Sequence, residues 1–214
     1  MIVTAVERQR RRRRVDLFVD GRFALALGAE LAAERGLRPG RSLTSAELSA
    51  LARAEARRGA LESALRLLSY RPRSERELRD RLRRKGFDQA AIVQTMARLQ
   101  ELGYLDDAAF ARGWAETRQA IRPRSRRLLA SDLRQRGVTK EQAEQATADI
   151  SDEDAAYRAV ERRLRALVGL EFRPFRERLG RFLTSRGFSY DVARRTIDRC
   201  WSELEGERSN AESG

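Results

Sequence analysis

The sequence predicts a mainly α-helical fold: an elongated, curved array of three tandem three-helix repeats, preceded by a small N-terminal β-hairpin or three-stranded element. Three observations predict it. Ala, Leu, Arg and Glu are abundant whereas Pro is found only 4 times and aromatic residues make up 7% of the chain, which is typical of helices. A glycine-centred pattern recurs at a spacing of about 50 residues, and such a regular spacing is typical of repeat proteins. Apolar residues alternate only near the N-terminus.

The first 44 residues contain the strand pattern. In "VDLFVDGRFALAL" (15–27), apolar residues alternate on both sides of Asp20-Gly21-Arg22, which predicts a β-hairpin. The segment "MIVTAV" can add a third strand. "AELAAERG" predicts a short helix that ends at Gly36. Thr44 and Glu47 then have the spacing of a capping box at the start of a long helix.

A helix–glycine turn–helix pattern recurs three times from residue 78 onward. The blocks begin "LRDRLRRKGFDQ", "LASDLRQRGVTK" and "LGRFLTSRGFSY", and their glycines are Gly86, Gly137 and Gly187. A leucine lies four residues before each glycine, an apolar residue follows it, and Asp, Thr or Ser comes next. Glycine ends a helix by adopting the left-handed backbone, and Asp, Thr or Ser caps the helix that follows. We therefore expect two helices per block, with a capping box at Thr139 and Gln142.

The repeat extends upstream to a further helix in each copy. "RPRSERE" and "RPRSRR" stand at the same distance before their glycines. Pro72 and Pro123 should end the preceding helix, while Ser74 (with Glu77 in a capping box) and Ser125 should cap the next one. The first helices of the three repeats are expected at about Leu48–Ser69, Asp107–Ala120 and Glu153–Val168.

These patterns set the expected domains. We expect the N-terminal hairpin and short helix in residues 1–44, the repeats in 45–104, 105–151 and 152–206, and a polar, frayed tail in 207–214. The third copy is weaker because its "RPF" is shifted and "GLEF" precedes it. Atypical terminal copies are usual in repeat proteins.

The composition argues against an enzyme. The chain has no His, which removes histidine acid–base catalysis and histidine metal ligands. Cys200 is the single cysteine, and its position on a helix face predicts a small buried hydrophobe rather than a reactive thiol. Nuclease chemistry needs carboxylates that hold a metal, but Asp152–Asp154 and Asp106–Asp107 lie at predicted helix N-termini, where the helix dipole explains them. We expect no cofactor, no metal and no catalytic residue.

Positive charge is concentrated in the middle helices of the repeats. The chain carries 45 Lys and Arg against 32 Asp and Glu, a formal net charge of +13, so an anionic partner is expected. Residues 71–85 hold eight basic and three acidic side chains, and residues 122–136 hold six and one. Two plainer explanations stay open: a coding bias towards Arg, since only Lys85 and Lys140 are Lys, and an ordinary solvated face. The run Arg10–Arg14 is either a phosphate-binding arm or a solubilising link.

A sequence-specific helix-turn-helix repressor is disfavoured. Its second helix enters the major groove, and here those helices would be Asp88–Glu101 and Thr139–Ile150. The second of these would bring carboxylates against phosphates, which electrostatics opposes. The middle helices are better suited to a basic ribbon that follows a polyanion without reading sequence, or that fits a groove of a nucleoprotein polymer.

Three segments of the sequence resemble a known family. "SYRPRSERELRDRLRRKGF", "ARLQELGYLDDAAFARGWAETR" and "RRLLASDLRQRGV" are similar to the RecX family of bacterial recombination regulators, over about residues 60–205. The resemblance implies a non-enzymatic protein that binds RecA in the groove of its filament on single-stranded DNA. It would block or reverse filament growth and lower the ATPase, strand-exchange and coprotease activities of RecA, with a role in DNA repair and the SOS response.

The resemblance also implies a basic binding face and a set of partners. That face would comprise Arg71, Arg73, Arg79, Arg83, Arg84, Lys85, Arg122, Arg124, Arg126 and Arg127. RecA and the RecA–DNA filament are the expected partners, with single- and double-stranded DNA as further ones. Filament capping and groove coating both stay open. We expect a cytoplasmic monomer without a membrane span. The alternative function is a general DNA-binding helical-repeat protein that acts by occupying DNA.

Overall fold

The computed structural model describes residues 1–10 and 13–212, and the side chains of residues 1–10 and 13–207. It confirms a mainly helical protein with a three-stranded N-terminal sheet. The strands are β1 (Val3–Arg8), β2 (Arg14–Val19) and β3 (Arg22–Gly28). The helices are α1 (Ala29–Glu34), α2 (Ser45–Tyr70), α3 (Glu75–Arg84), α4 (Gln89–Glu101), α5 (Asp107–Ile121), α6 (Arg126–Gln135), α7 (Lys140–Ala146), α8 (Asp152–Leu164), α9 (Phe172–Ser185) and α10 (Tyr190–Glu212), with a 3₁₀ turn at Arg165–Leu167.

The chain forms two compact units. The first contains Met1–Pro72 and Leu78–Leu105, and the second contains Arg73–Glu77 together with the chain from Asp106 onward. The start of α3 thus packs with the second unit, and the rest of α3 packs with the first. The segment predicted as a polar tail from residue 207 belongs to α10 up to Glu212.

The N-terminal sheet has the predicted hairpin. Its strand order is β1-β2-β3 and both pairings are antiparallel. Asp20 and Gly21 connect β2 to β3 with φ angles of 49° and 78°, the positive values that a two-residue hairpin turn requires. Leu17 and Leu27 of the sheet are fully buried in one core with Leu51 of α2.

The three glycine turns have the same geometry, as predicted. Gly86, Gly137 and Gly187 have φ angles of 86°, 93° and 84°. In each turn a leucine lies four residues before the glycine, and its carbonyl accepts from the N–H of the apolar residue that follows the glycine, at 3.2 to 3.3 Å. The glycine N–H donates to the carbonyl three residues before it. This pair of bonds is the Schellman motif, which satisfies the last carbonyls of a helix.

The predicted caps are also present. Asp88 accepts from the backbone N–H of Ala91 at 2.7 Å, and Ser125 and Ser189 make the equivalent bonds at the starts of α6 and α10. Full capping boxes form at Thr44 with Glu47 and at Thr139 with Gln142. Ser74 accepts from the Glu77 N–H at 3.2 Å. Because these bonds join neighbouring residues, local sequence determines where the helices start.

The helix predicted over Thr139–Ile150 is shorter than expected, and this prediction was wrong by about one turn. α7 ends at Ala146, and the Thr147 hydroxyl donates to the Ala143 carbonyl at 2.9 Å. A side chain that bonds back to the helix in this way competes with continuation of the backbone ladder. Beyond it, Ile150 packs against the core of the third repeat.

The shifted "RPF" of the third repeat has a structural reason. Pro174 lies in the first turn of α9, which Glu171 precedes as N-cap. Proline is tolerated there because the N–H groups of the first turn have no partner within the helix. The third repeat therefore has no Arg-Pro-Arg-Ser segment ahead of its middle helix.

The serines of the two Arg-Pro-Arg-Ser segments both donate to the carbonyl of the residue just before a repeat glycine, one through its hydroxyl and the other through its backbone N–H. The Ser74 hydroxyl donates to the Arg136 carbonyl, and the Ser125 N–H donates to the Arg186 carbonyl at 3.1 Å. The Gly137 and Gly187 turns thus each serve both as a helix end and as a docking point for the segment of the preceding repeat.

An aspartate completes each of these joints. The Asp107 carboxylate accepts from the Glu75 N–H at 2.8 Å, and the Asp152 carboxylate accepts from the Arg126 N–H at 2.7 Å. Burial raises the pKa of the Asp107 carboxyl, while the bond from Glu75 opposes that rise. These carboxylates therefore hold segments together, in addition to lying at helix N-termini as predicted.

Candidate functional site

In the first unit, the basic residues at the end of α3 face solvent. The Arg83 side chain is 61% exposed, and its Nη1 atom lies 2.9 Å from Asp80. Arg84 is exposed, and its Nε donates to the Asp80 carbonyl at 3.2 Å. Lys85 is exposed too, with its Nζ donating to the Ser63 hydroxyl at 2.8 Å. One carboxylate beside three cations leaves this helix end positive.

The other predicted residues before and in α3 differ in exposure. Arg71 is exposed and its Nη1 donates to the Pro72 carbonyl, while Arg79 is half-buried. Arg73 belongs to the second unit, is 8% exposed and forms an ion pair with Glu77. Its burial removes it from the surface that the sequence assigned to it, because a paired guanidinium under other residues cannot reach a partner's anions.

In the second repeat, three of the four predicted arginines are exposed: Arg122, Arg126 and Arg127. The fourth, Arg124, is half-buried with its Nη1 atom 2.7 Å from Asp132. Only the backbone of Arg126 is engaged in the joint with Asp152. The accessible part of this set therefore lies at the Pro123 turn and on the first turn of α6.

An arginine cluster around Arg186 was not predicted from the sequence. Burial lowers the pKa of the Arg186 guanidinium, and nearby positive charges lower it further. Those charges belong to Arg122, Arg124, Arg163 and Arg118. Arg186 also donates to the Pro123 carbonyl at 3.2 Å. The cluster brings like charges together at the joint of the second and third repeats, which favours an anionic partner there.

Aromatic rings hold several of these guanidinium groups in place. Arg163 and Arg186 lie 4.2 and 4.8 Å from the centre of the Phe182 ring. In the second repeat, Arg118 and Arg136 lie 5.4 and 4.6 Å from the Trp114 ring. Such cation–π contacts fix the charge without neutralising it. A signal for them existed in the sequence, since Arg136 and Arg186 both immediately precede a repeat glycine.

A hollow of about 520 Å³ extends the cluster along α9. Its lining includes Arg163, Arg178, Arg181 and Phe182, together with Leu167 and Leu179. A lining of basic and apolar side chains can hold an anion and an apolar group together. Among the side chains that the structure describes, no group of three His, Cys, Asp or Glu could hold a metal ion.

Cys200 is fully buried in the core of the third repeat, as predicted. Burial raises the pKa of its thiol to about 11, and Glu203 adds to the rise. A thiol with this pKa is about 0.1% thiolate at pH 8, against about a quarter for an ordinary cysteine.

We expect Cys200 to react with iodoacetamide at pH 8 at least about 100-fold more slowly in the folded protein than in 8 M urea, because only the thiolate attacks. Mass spectrometry of timed samples measures both rates. Equal rates in the two conditions would show that the thiol is accessible and that the helix face was placed wrongly.

The run Arg10–Arg14 is only partly described. Arg11 and Arg12 lie outside the described residues, Arg13 is exposed, and Arg14 lies with Nη1 2.6 Å from Glu55. Arg14 is therefore part of the packing between the sheet and α2. Within the described part of the chain, no helix is long and apolar enough to cross a membrane.

Comparison with known families finds the same three-part organisation. Residues 60–99, 106–146 and 151–197 match the models described as RecX, first, second and third three-helix domain. The third match covers the repeat whose sequence pattern was weakest.

Among similar proteins, the chain is 37% identical over 172 residues to "Regulatory protein RecX" of Thermobifida fusca, covering 79% of this chain and 87% of that one. It is 30% identical over 215 residues to the protein of the same name in Lactobacillus delbrueckii subsp. bulgaricus, covering 98% and 79%. A crystal structure of regulatory protein RecX shares the fold, with a TM-score of 0.67, 21% identity and coverage of 92% and 98%. A second, from Lactobacillus salivarius, has a TM-score of 0.60, 22% identity and coverage of 71% and 98%.

Proposed function

The chain belongs to the RecX family of regulatory proteins, and on this premise we propose that it binds the RecA recombinase and its filament on single-stranded DNA. It acts without catalysis, as a cytoplasmic monomer. Binding stops filament growth and lowers ATP hydrolysis, strand exchange and coprotease activity. The observation that supports this proposal most is the match of all three RecX domains in order along the chain.

The basic groups of each unit supply the attachment. Exposed arginines and a lysine lie at the end of α3, and further arginines surround Arg186 and the start of α6. A filament of protein on DNA is negatively charged, so these groups speed association and make it dependent on salt. Repeats arranged in series would contact more than one RecA subunit at a time.

Attachment alone does not inhibit a polymer. Ligand binding shifts an equilibrium only when the ligand binds one state more tightly than the other. We propose that the repeats bind best to a filament whose subunits are poor at hydrolysis or at adding the next subunit. Inhibition then follows from this difference in affinity, and no reaction on the protein itself is needed.

Plain occupation of DNA is the second candidate, and the net charge of +13 favours it. The two candidates differ in the number of molecules needed per RecA subunit to inhibit. Measured as RecA ATP hydrolysis on circular single-stranded DNA, inhibition should be half-complete with less than about one molecule per ten RecA subunits, because a bound molecule affects subunits that it does not touch. A protein that occupies DNA would inhibit only when it approaches the binding capacity of the DNA, and that result would favour the second candidate.

A further inference from the structure

Two helices end in an exposed apolar residue that is followed directly by an arginine. Tyr70 is the last residue of α2 and is 78% exposed, and Ile121 is the last residue of α5 and is 65% exposed. Arg71 and Arg122 follow them and are exposed as well. Both pairs stand directly before the Pro of an Arg-Pro-Arg-Ser segment, so they occupy the same position in the first and second repeats.

Packing does not explain these apolar side chains. The prolines at 72 and 123 end the helices, and the serines at 74 and 125 start the next ones, so any polar residue would serve at positions 70 and 121. Single exposed apolar residues are ordinary on protein surfaces. What is unusual here is that they recur at the same position of two repeats, and that an exposed arginine follows each of them.

The two side chains also limit the kind of partner. A tyrosine ring can stack on a nucleobase, but isoleucine has no π face, and stacking is how proteins hold single-stranded bases without reading sequence. The one role that both side chains can fill is therefore apolar contact with a partner. In protein interfaces, a few residues supply most of the binding energy, and aromatic residues and arginine are enriched among them.

Charge defines the rest of the partner surface. Arg122 is one of the positive neighbours of Arg186, so the surroundings of Ile121 repel a basic surface and attract an acidic one. In the third repeat, exposed Val168 closes the 3₁₀ turn, but Gly169 follows it rather than an arginine. Only the first and second repeats therefore carry the complete pair.

We infer that Tyr70–Arg71 and Ile121–Arg122 are protein-docking contacts, each of which places an apolar side chain in a socket of an acidic protein surface. This inference rests on the proposed function, under which the surface belongs to RecA subunits of the filament. A partner built from identical subunits offers the same socket repeatedly. Two equivalent contacts on one chain would then bind it with the added strength of linked sites.

The test compares the double variant Tyr70→Ser/Ile121→Ser with the wild-type protein and with Tyr190→Ser. Tyr190 is a matched control because it is also 78% exposed, but it begins α10 beside Asp191. Biolayer interferometry measures the Kd for RecA filaments on immobilised single-stranded DNA and for the same DNA without RecA. We expect the double variant to bind filaments at least about tenfold more weakly, with bare-DNA affinity within about twofold of wild type and Tyr190→Ser unchanged.

Two results for the variant would overturn the inference. Wild-type affinity of the double variant for filaments would show that the pairs do not dock, and an equal loss on bare DNA would show that they serve DNA instead. Failure of the proposed function is seen separately, in the wild-type protein, as the same affinity for filaments and bare DNA. Because all three side chains are exposed, an unchanged thermal midpoint should accompany each substitution.

Discussion

Reversal of Arg83, Arg84 and Arg126 to glutamate should raise the concentration that half-inhibits RecA ATP hydrolysis by at least about 100-fold. Each reversal replaces an attraction to the filament of about 1 kcal/mol by a repulsion, and three together exceed the roughly 2.7 kcal/mol that corresponds to this factor. All three residues are exposed. The measurement is the rate of ATP hydrolysis on single-stranded DNA as a function of the concentration of each variant.

The fold should tolerate this change. Arg83 and Arg84 both bond to Asp80 at the surface, and Arg126 contributes its backbone N–H to the joint with Asp152. Exposed ion pairs contribute little to stability. Glutamate at the end of α3 opposes the helix dipole by about 0.5 kcal/mol per residue, so we expect a small fall in thermal midpoint and unchanged helical content.

A matched control separates the effect of where the arginines lie from the effect of total charge. The triple variant Arg38→Glu/Arg53→Glu/Arg194→Glu changes the net charge equally, at exposed arginines outside the candidate face. It should inhibit within about threefold of wild type, since only local charge acts over the Debye length. If both triple variants lost inhibition equally, net charge alone would be responsible and the assigned face would be wrong.

Replacing Gly137 by alanine should destabilise the protein by about 3 kcal/mol. The left-handed backbone at φ 93° costs a residue with a Cβ about 1 kcal/mol. The new Cβ would also lie 2.2 Å from the Cβ of Arg76, and relief of such a clash in a packed joint costs about 1–3 kcal/mol more. Urea unfolding followed by circular dichroism gives the change in free energy.

Gly86→Ala is the matched control for this prediction. Gly86 has a similar φ of 86°, but a Cβ added there would meet nothing within 4 Å. Gly86→Ala should therefore lower the free energy of unfolding only by the cost of the left-handed backbone, about 1 kcal/mol. Gly187→Ala should resemble Gly137→Ala, because its Cβ would lie 2.7 Å from the Ser125 hydroxyl oxygen. Equal losses at Gly86 and Gly137 would contradict the docking role of the second turn.

The sequence predicted the features that depend on neighbouring residues. Positive φ at Gly86 and its counterparts, the cap at Asp88 and the hairpin turn at Asp20 all follow from local rules of backbone and side-chain hydrogen bonding. For the same reason the helices expected to follow a cap at Ser74, Asp88, Ser125 and Thr139 begin at the next residue.

Features that depend on distant residues could not be predicted. Arg118 and Arg186 are brought together only by the packing of the second and third repeats, and Arg73 is buried by contacts within the second unit. Net charge and charge runs give no information about burial, since arginine occurs both in ion pairs and on open surfaces. α7 likewise ends early where Thr147 bonds back to the helix and Ile150 packs with the next repeat.

Binding to RecA filaments rather than to DNA alone can be measured by co-sedimentation with preformed RecA filaments on single-stranded DNA and with the same DNA without RecA, at the same salt concentration. At 150 mM salt, we expect the protein to sediment with filaments at concentrations at least about tenfold lower than those needed to bind the bare DNA, because protein contacts add to the charge attraction. Equal or stronger recovery with bare DNA would contradict this expectation and would identify the protein as one that acts by occupying DNA.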